Sequence, residues 1–243
     1  MPLLGLRRQA IAASGSAAAN LTHNHSCQHW SKKMHSIINS TICDIAVYMP
    51  AAVLANDELA AIYPNWSADK ILEKTGIRQR HIAGPDETAV DMARSAAERL
   101  FEQGKVAPHD VDFLIFCTQA PDYILPTSAC LLQDALGLPR SIGALDINLG
   151  CSGFVYALSL ANGLIQSGAA KCILVVTADT YSKFIHPLDK SVRTLFGDAA
   201  VATAIVADTE TDRGVGPFVF GTDGSGARHL IVESGGSRLA RSP

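Results

Sequence analysis

The stretch Asp146-Ile147-Asn148-Leu149-Gly150-Cys151-Ser152-Gly153-Phe154 joins two elements of different kinds. Residues 144–148 are short and mainly apolar, which is typical of a strand. Residues 151–167 are apolar nearly all round, which predicts a buried helix. A strand that turns directly into a helix is the unit from which layered α/β folds are built. The stretch therefore indicates the fold class and places Cys151 at the start of a helix.

Further strands and helices alternate on both sides of this stretch. Residues 111–118, 172–177 and 201–206 form almost uninterrupted apolar runs, as strands buried on both faces of a parallel sheet do. Residues 42–48 predict a first strand, and residues 89–101 place their apolar side chains on one helical face. Weaker patterns predict a short helix that opens at 56–58, helices at 68–74 and 128–136, and a short strand at 218–220. The alternation predicts an α/β layered fold with a mainly parallel sheet.

The two ends differ in composition from residues 34–213, which we interpret as the folded body. Residues 1–33 contain Arg, Lys, Ala and Ser but no Asp or Glu, as transit peptides do. We interpret them as a disordered leader or a mis-assigned start, with organelle transit as the alternative. The His and Cys side chains of residues 23–29 are possible metal ligands. We interpret the tract as disordered and its ligand types as coincidental, because no second ligand cluster completes a site, so no metal is expected. Residues 214–243, rich in Gly and Ser, are interpreted as a connection into a missing C-terminal half.

Composition excludes several classes of function. The net charge is −3, so no basic field is present to hold nucleic acid. No apolar run reaches the roughly 18 to 20 residues of a membrane-spanning helix, so no membrane association is expected. Six cysteines occur without a CxxC pair, which favours mostly buried, reduced thiols in a cytoplasmic protein.

Cys151 is the residue whose position indicates chemistry. At the start of a helix, unpaired backbone N–H groups and the helix dipole favour the thiolate, which is the nucleophilic form. Gly150 and Gly153 leave room for a flat thioester carbonyl, and the N–H of Cys151 is a candidate donor to an oxyanion. The alternative is a small buried residue at a helix start, as we interpret Cys130 to be.

Residues 42–208 resemble β-ketoacyl-acyl-carrier-protein synthase III, a condensing enzyme of the thiolase superfamily. Residues 75–83 are similar to the early TGIR-x-RHIA run of that family, and residues 125–130 to its proline-to-helix segment. Residues 151–158 are similar to the nucleophile helix, and residues 196–200 to a turn that the family writes FGDGAG. These four segments occur in the family order and at similar separations.

The resemblance implies an acyltransferase. Cys151 would take an acyl group from a thioester, usually acyl-CoA, by covalent catalysis. A carbanion formed by decarboxylation of malonyl-acyl carrier protein would then attack it, giving a 3-oxoacyl-acyl carrier protein in fatty acid or polyketide biosynthesis. No cofactor is implied; acyl carrier protein and acyl-CoA are the implied partners. The implied fold has two similar halves in α-β-α-β-α layers, usually as a homodimer, and this chain corresponds to the N-terminal half.

The chain departs from the family in the residues for the second step, the decarboxylation of the malonyl group and its attack on the acyl-enzyme. The family stabilises the enolate with a His and an Asn from its C-terminal half, and neither is found here; His229 reads as a surface histidine. We therefore expect a C-terminally truncated chain that accepts an acyl group but cannot complete condensation. The alternatives are another thiolase-fold synthase, a non-catalytic thiolase-fold partner subunit, or an inactive fragment.

The resemblance also assigns Lys70, Lys74, Arg78 and Leu125 to substrate binding. Lys70 and Lys74 stand where the family has an aromatic and a basic residue that grip the adenine end of CoA. Trp66, one helical turn before Lys70, is either a partial substitute for that aromatic or, as we favour, a packing residue. We expect weaker use of CoA donors. Leu125 replaces an aromatic that closes the partner's acyl tunnel in the family, which predicts room for longer or branched acyl groups.

Overall fold

The computed structural model describes residues 38–210 and 214–240. Seven strands and six α-helices occur in this part of the chain. The strands are β1 (Asn39–Tyr48), β2 (Ala52–Ala55), β3 (Gln79–Ile82), β4 (Phe113–Cys117), β5 (Gly143–Ile147), β6 (Cys172–Asp179) and β7 (Ala199–Asp208). The helices are α1 (Asn56–Ile62), α2 (Ala68–Thr75), α3 (Ala89–Glu102), α4 (Ser128–Ala135), α5 (Gly153–Gln166) and α6 (Lys190–Arg193).

Five strands form one sheet in the order β1-β7-β6-β4-β5. Strand β4 pairs in parallel with β5 and β6, whereas β7 is antiparallel to both β6 and β1. Four strands thus run in one direction and β7 alone opposes them, so the prediction of a mainly parallel α/β sheet is confirmed. The apolar side chains of β4 and β6 are almost all buried, as a sheet covered on both faces requires.

Helices cover the two faces of this sheet with separate apolar clusters. On one face, α3 and α4 pack against the strands through a cluster that includes Met92, Leu100 and Leu132. On the other face, α5 packs through Ala157, Ala161 and Ile165. The small side chains of α5 allow its backbone to approach the sheet closely, which matters for the loop that precedes it.

Capping residues set the helix boundaries locally. Ser67 accepts a hydrogen bond from the Lys70 N–H at the start of α2, and Gly76 ends that helix with φ +72°. Thr88 and Asp91 form a capping box at the start of α3. These ends are local, so the residues that specify them lie within a few positions of each other.

The helix after Cys151 differs from the prediction. Helix α5 begins at Gly153 with Ser152 as its N-cap, so Cys151 lies in the preceding turn and not in the first helical turn. Its burial is also one-sided, because Val155 and Leu160 are 45% and 47% exposed. The prediction of burial all round was therefore wrong for the described residues.

Two further differences concern strands. No strand forms at 218–220, which belongs to neither sheet. An antiparallel pair of β2 and β3, which the sequence did not predict, joins Ala52 to Ile82 and Ala55 to Gln79.

The predicted leader, residues 1–33, and its 23–29 tract lie outside the described residues. Residues 214–240 carry one 3₁₀ turn, Gly224–His229, and are mostly exposed.

The close approach of α5 to β4 predicts a stability effect at Gly153. A Cβ at this position would overlap the Sγ of Cys117 and lie 3.1 Å from the Cβ of Leu149. We expect Gly153→Ala to lower the free energy of unfolding by about 1–3 kcal/mol, the usual cost of overpacking. Urea unfolding followed by circular dichroism measures the change.

Gly163 provides the matched control for this experiment. It lies in the same helix with no atom within 4 Å of its Cβ position, so Gly163→Ala should be neutral or stabilising because alanine favours helix. The cost of Gly153→Ala should shrink in a Cys117→Ala background, since the clashing sulfur is gone. Equal costs in both backgrounds would contradict this account.

Candidate active site

Three neighbouring parallel strands end at one edge of the sheet and position the site. Gln119 follows the end of β4, Cys151 follows the end of β5 and Tyr181 follows the end of β6. Crevices outside the carboxyl ends of parallel strands are the usual ligand sites of α/β sheets. A cavity of about 580 Å³ occupies this edge. Its lining is mainly apolar and comprises Cys117, Gln119, Leu149, Gly150, Cys151, Phe154, Thr177, Ala178, Asp179, Tyr181, Phe196, Gly197, Ala199, Val201 and Leu230.

Cys151 is exposed to this cavity at the turn between β5 and α5. The Gly153 N–H donates to the Gly150 carbonyl at 2.8 Å and closes the turn around it. Within residues 38–210 and 214–240, the backbone N–H of Cys151 donates to no acceptor. The N-terminal end of α5 begins two residues later and favours negative charge nearby. The predicted nucleophile thus has an open cavity in front of it and backbone donors beside it.

Asp146 fixes the end of β5 just before this turn. Its two carboxylate oxygens accept from the backbone N–H groups of Ser128 and Ala129, both at 2.7 Å. These are unpaired N–H groups at the start of α4, so the carboxylate caps that helix from a neighbouring strand. The bonds tie α4 to β5 and restrict the backbone that leads to Cys151.

Asp179 joins the loops that follow β4 and β6. One of its oxygens accepts from the Gln119 N–H at 2.7 Å and from the Thr118 hydroxyl at 3.1 Å. Burial raises the pKa of this carboxyl, and its hydrogen bonds oppose that rise. The position of Gln119 is therefore set by a buried acceptor on the adjacent strand.

Gln119 and Tyr181 are site residues that the sequence analysis missed. The Tyr181 hydroxyl donates to the Gln119 side-chain oxygen at 2.7 Å, and the Tyr181 ring stacks on Phe196 with 5.1 Å between centroids. Burial, followed by the charges of Asp179 and Cys151, raises the pKa of Tyr181, so its hydroxyl keeps its proton. Their positions after the ends of predicted parallel strands were the only available signal.

A second cysteine lines the same cavity but differs from Cys151. Cys117 is buried in β4, and its thiol donates to the Leu149 carbonyl at 3.1 Å. Burial raises the pKa of Cys117 to about 11, and that of Cys172 to about 12. Cys130, interpreted above as buried, is exposed, so only two of the five described cysteines are buried and the prediction of mostly buried thiols was wrong.

The other predicted binding residues do not line the Cys151 cavity. Lys70, Lys74 and Arg78 are exposed on α2 and the loop after it, and Leu125 is 80% exposed. Trp66 packs against a small cluster of Leu59, Tyr63 and Ile71, as we favoured. The amino groups of Lys70 and Lys190 lie 5.7 Å and 5.3 Å from its ring centroid.

A more polar cleft adjoins the cavity across Gln119, Tyr181 and Leu230. Its lining includes His186 and His229, and His229 is exposed beside Arg228, as interpreted. Among the described residues, no group of three or more His, Cys, Asp or Glu side chains is arranged to hold a metal ion. In the same part of the chain, every helix is too short or too polar to cross a membrane.

Comparison with known proteins finds similarity to one family of synthases. The family model for 3-oxoacyl-[acyl-carrier-protein] synthase III matches residues 145–224, which contain Cys151. β-Ketoacyl-[acyl-carrier-protein] synthase III of Xanthomonas axonopodis pv. citri is 42% identical over 178 residues, covering 73% of this chain and 54% of the relative. The chain thus spans about half the length of the curated relatives that it matches.

Solved structures agree with this grouping. A crystal structure of a 3-oxoacyl-(acyl-carrier-protein) synthase III superposes with a TM-score of 0.82 at 62% identity, covering 84% of this chain and 60% of the other. A 3-oxoacyl-(acyl-carrier protein) synthase from Burkholderia xenovorans LB400 gives 0.76 at 38% identity, with 83% and 57% covered. The thiolase-like α/β fold expected from the resemblance is confirmed.

The differing environments of the cysteines predict selective labelling. At pH 8 a thiol with a pKa of about 11 stays protonated and unreactive, because alkylation requires the thiolate. We expect iodoacetamide to label Cys151 and Cys130 in the folded protein and to leave Cys117 and Cys172 unmodified. Peptide mass mapping measures the labelling, and urea-unfolded protein, in which all four should react, is the control. Rapid labelling of Cys117 in the folded chain would contradict the assigned burial.

Proposed function

Because the chain resembles 3-oxoacyl-[acyl-carrier-protein] synthase III proteins in sequence and fold, we propose that it belongs to that family and acts as an acyltransferase with Cys151 as the nucleophile. The proposal rests on one observation: an exposed cysteine lies in a mainly apolar cavity at the carboxyl edge of three parallel strands. The proposed reaction is the decarboxylative condensation of an acyl thioester with malonyl-acyl carrier protein, giving 3-oxoacyl-acyl carrier protein.

The first half-reaction follows from the chemistry of the cavity. The Cys151 sulfur attacks the thioester carbonyl carbon, and the donor leaves as a thiol. Phe154, Phe196 and Val201 provide apolar surface for an acyl chain, and the free N–H of Cys151 donates to the oxyanion. A volume of about 580 Å³ accommodates a short acyl group together with part of its carrier arm.

The second half-reaction requires donors for the enolate that forms when the malonyl group loses carbon dioxide. Among residues 38–210 and 214–240, none that lines the cavity is a His or an Asn. We therefore assign only the acylation step to the described residues.

We also propose that acyl carrier protein serves this site better than CoA does. Trp66 has the amino groups of Lys70 and Lys190 over its ring, which hinders stacking of an adenine on the same surface. Lys70, Lys74 and Arg78 provide exposed positive charge for phosphate or for the acidic surface of a carrier protein.

Leu125 supports the proposal of a homodimer. It stands in an exposed apolar run with Tyr123 and Ile124, which are 61% and 87% exposed. Exposed apolar runs of this kind favour an interface. In a dimer Leu125 would reach the partner's acyl cavity, and its smaller volume would admit longer or branched chains; a strict acetyl preference would contradict that role.

Acylation of Cys151 is the direct test of the proposed function. Incubation with butyryl-acyl carrier protein should add one butyryl mass to the protein, because the thioester transfers its acyl group to the exposed thiol. Intact-mass spectrometry measures the gain. It should be absent in Cys151→Ala and retained in Cys130→Ala, which removes the other exposed cysteine of the described residues. Failure of the wild-type chain to gain mass would favour the non-catalytic partner reading.

Donor preference is tested with matched thioesters. Butyryl-acyl carrier protein should acylate Cys151 faster than butyryl-CoA at equal concentration, by about 10-fold if one stacking contact worth roughly 1.4 kcal/mol is missing. Lys190→Ala removes one of the two cations over Trp66. If those cations hinder stacking of adenine, this variant should show a smaller difference between the two acylation rates. Equal rates with the two donors in the wild-type chain would contradict the preference.

A further inference from the structure

The Gln119 side chain lies directly over the backbone that precedes Cys151. A Cβ added to Gly150 would be 2.5 Å from the Gln119 Oε1 and 3.3 Å from its Cδ, whereas the amide nitrogen lies more than 4 Å from that position. Since consecutive α-carbons are about 3.8 Å apart, the Gln119 amide oxygen is at most about 8 Å from the Cys151 α-carbon. An acyl group attached to the Cys151 sulfur extends over much of that distance, and Gln119 and Cys151 line the same cavity.

Tyr181 fixes which end of the amide is available. Its hydroxyl donates to the Gln119 oxygen at 2.7 Å, so the oxygen already has a partner. The amide nitrogen, which carries two N–H donors, has no hydrogen-bond partner among residues 38–210 and 214–240. Two further contacts hold Tyr181 and Gln119 in place. The Tyr181 ring stacks on Phe196, and the backbone N–H of Gln119 donates to Asp179.

The attacked carbonyl needs hydrogen-bond donors that are already in place. As the Cys151 sulfur bonds to the carbonyl carbon, the carbonyl π electrons move onto the oxygen. When the intermediate collapses, the bond from carbon to the donor sulfur breaks, and the departing thiolate takes up the proton that Cys151 lost. Among residues 38–210 and 214–240, the Cys151 N–H is a donor without a partner at this place, and Gln119 is the only side chain with an amide group in the cavity lining.

We propose that Gln119 is a catalytic residue whose amide N–H donates to the thioester carbonyl oxygen during acylation, and that Tyr181 is the positioning residue that orients it. The proposal rests on the function proposed for Cys151. The family resemblance and the motifs around Cys151 do not include either residue. A purely structural pair, holding the loops after β4 and β6 together, is the competing account.

Two reagents separate these accounts. Butyryl N-acetylcysteamine thioester carries the reacting carbonyl without CoA or a carrier protein, so it does not depend on Lys70 or Lys74. Methyl methanethiosulfonate modifies the same thiol by thiol exchange and has no carbonyl. Rates of both modifications are measured on the peptide that contains Cys151. Loss of one donor should slow only the first reaction.

We expect Gln119→Leu to lower the butyrylation rate by about 10-fold or more, the effect of one hydrogen bond to a developing charge, with the methylthiolation rate within about twofold of wild type. Tyr181→Phe removes only a hydroxyl and should lower butyrylation by a smaller factor, about threefold, for the same reason. The double variant should be no slower than Gln119→Leu alone, because Tyr181 acts through Gln119. Tyr48→Phe, which removes a hydroxyl that donates to Glu87 away from the cavity lining, should match wild type.

Each remaining outcome contradicts a definite claim. Wild-type butyrylation in Gln119→Leu would overturn the catalytic role of Gln119 while leaving Cys151 as the nucleophile. Equal loss of both reactions would show an effect on the thiol itself and would also overturn it. Additive losses in the double variant would overturn the positioning role of Tyr181. A wild-type chain that is methylthiolated but never butyrylated would overturn the proposed function itself.

Discussion

The carboxylate of Asp179 is the interaction on which the arrangement around Cys151 depends. Both of its bonds to the neighbouring loop, from the Thr118 hydroxyl and the Gln119 N–H, end on the same oxygen. Burial makes the charged form costly, as the raised pKa of this carboxyl shows, and these bonds offset part of that cost. If the loop after β4 moved away, the carboxylate would remain buried without these donors. The loops after β4 and β6 are therefore held to each other, and the turn at Cys151 lies beside them.

Cys151 is placed by close packing more than by special backbone conformation. Neither Gly150 nor Gly153 has a positive φ, so neither glycine is needed for a left-handed backbone. Each is needed for space: Gly150 lies under the Gln119 amide, and Gly153 lies against the Cys117 sulfur. The flanking glycines thus have two different partners on one strand end. Through them, α5 and its preceding turn are seated on β4 as well as on their own strand, β5.

The sequence predicted features whose determinants are local. Apolar runs such as β6, the helix predicted at 68–74, and Cys151 in its short motif all depend on neighbours within a few residues. It did not predict the pairing of β2 with β3, because these strands have four residues each, and α1 and α2 separate them. The bond between Tyr181 and Gln119 spans 62 residues and follows no periodic pattern. It becomes visible only when the parallel strand ends are brought to one edge.

The segment from Tyr181 to Phe196 links the Cys151 cavity with the region around Tyr63 and Trp66, two regions that are far apart in the sequence. Its two ends, Tyr181 and Phe196, stack on each other at the cavity, while its middle reaches the residues between α1 and α2. There the Tyr63 hydroxyl donates to the Pro187 carbonyl at 3.0 Å, and Lys190 lies over the Trp66 ring. One continuous segment therefore makes the contacts at Trp66 and the ring stacking of Tyr181, so the region around Trp66 and the Cys151 cavity share a structural element.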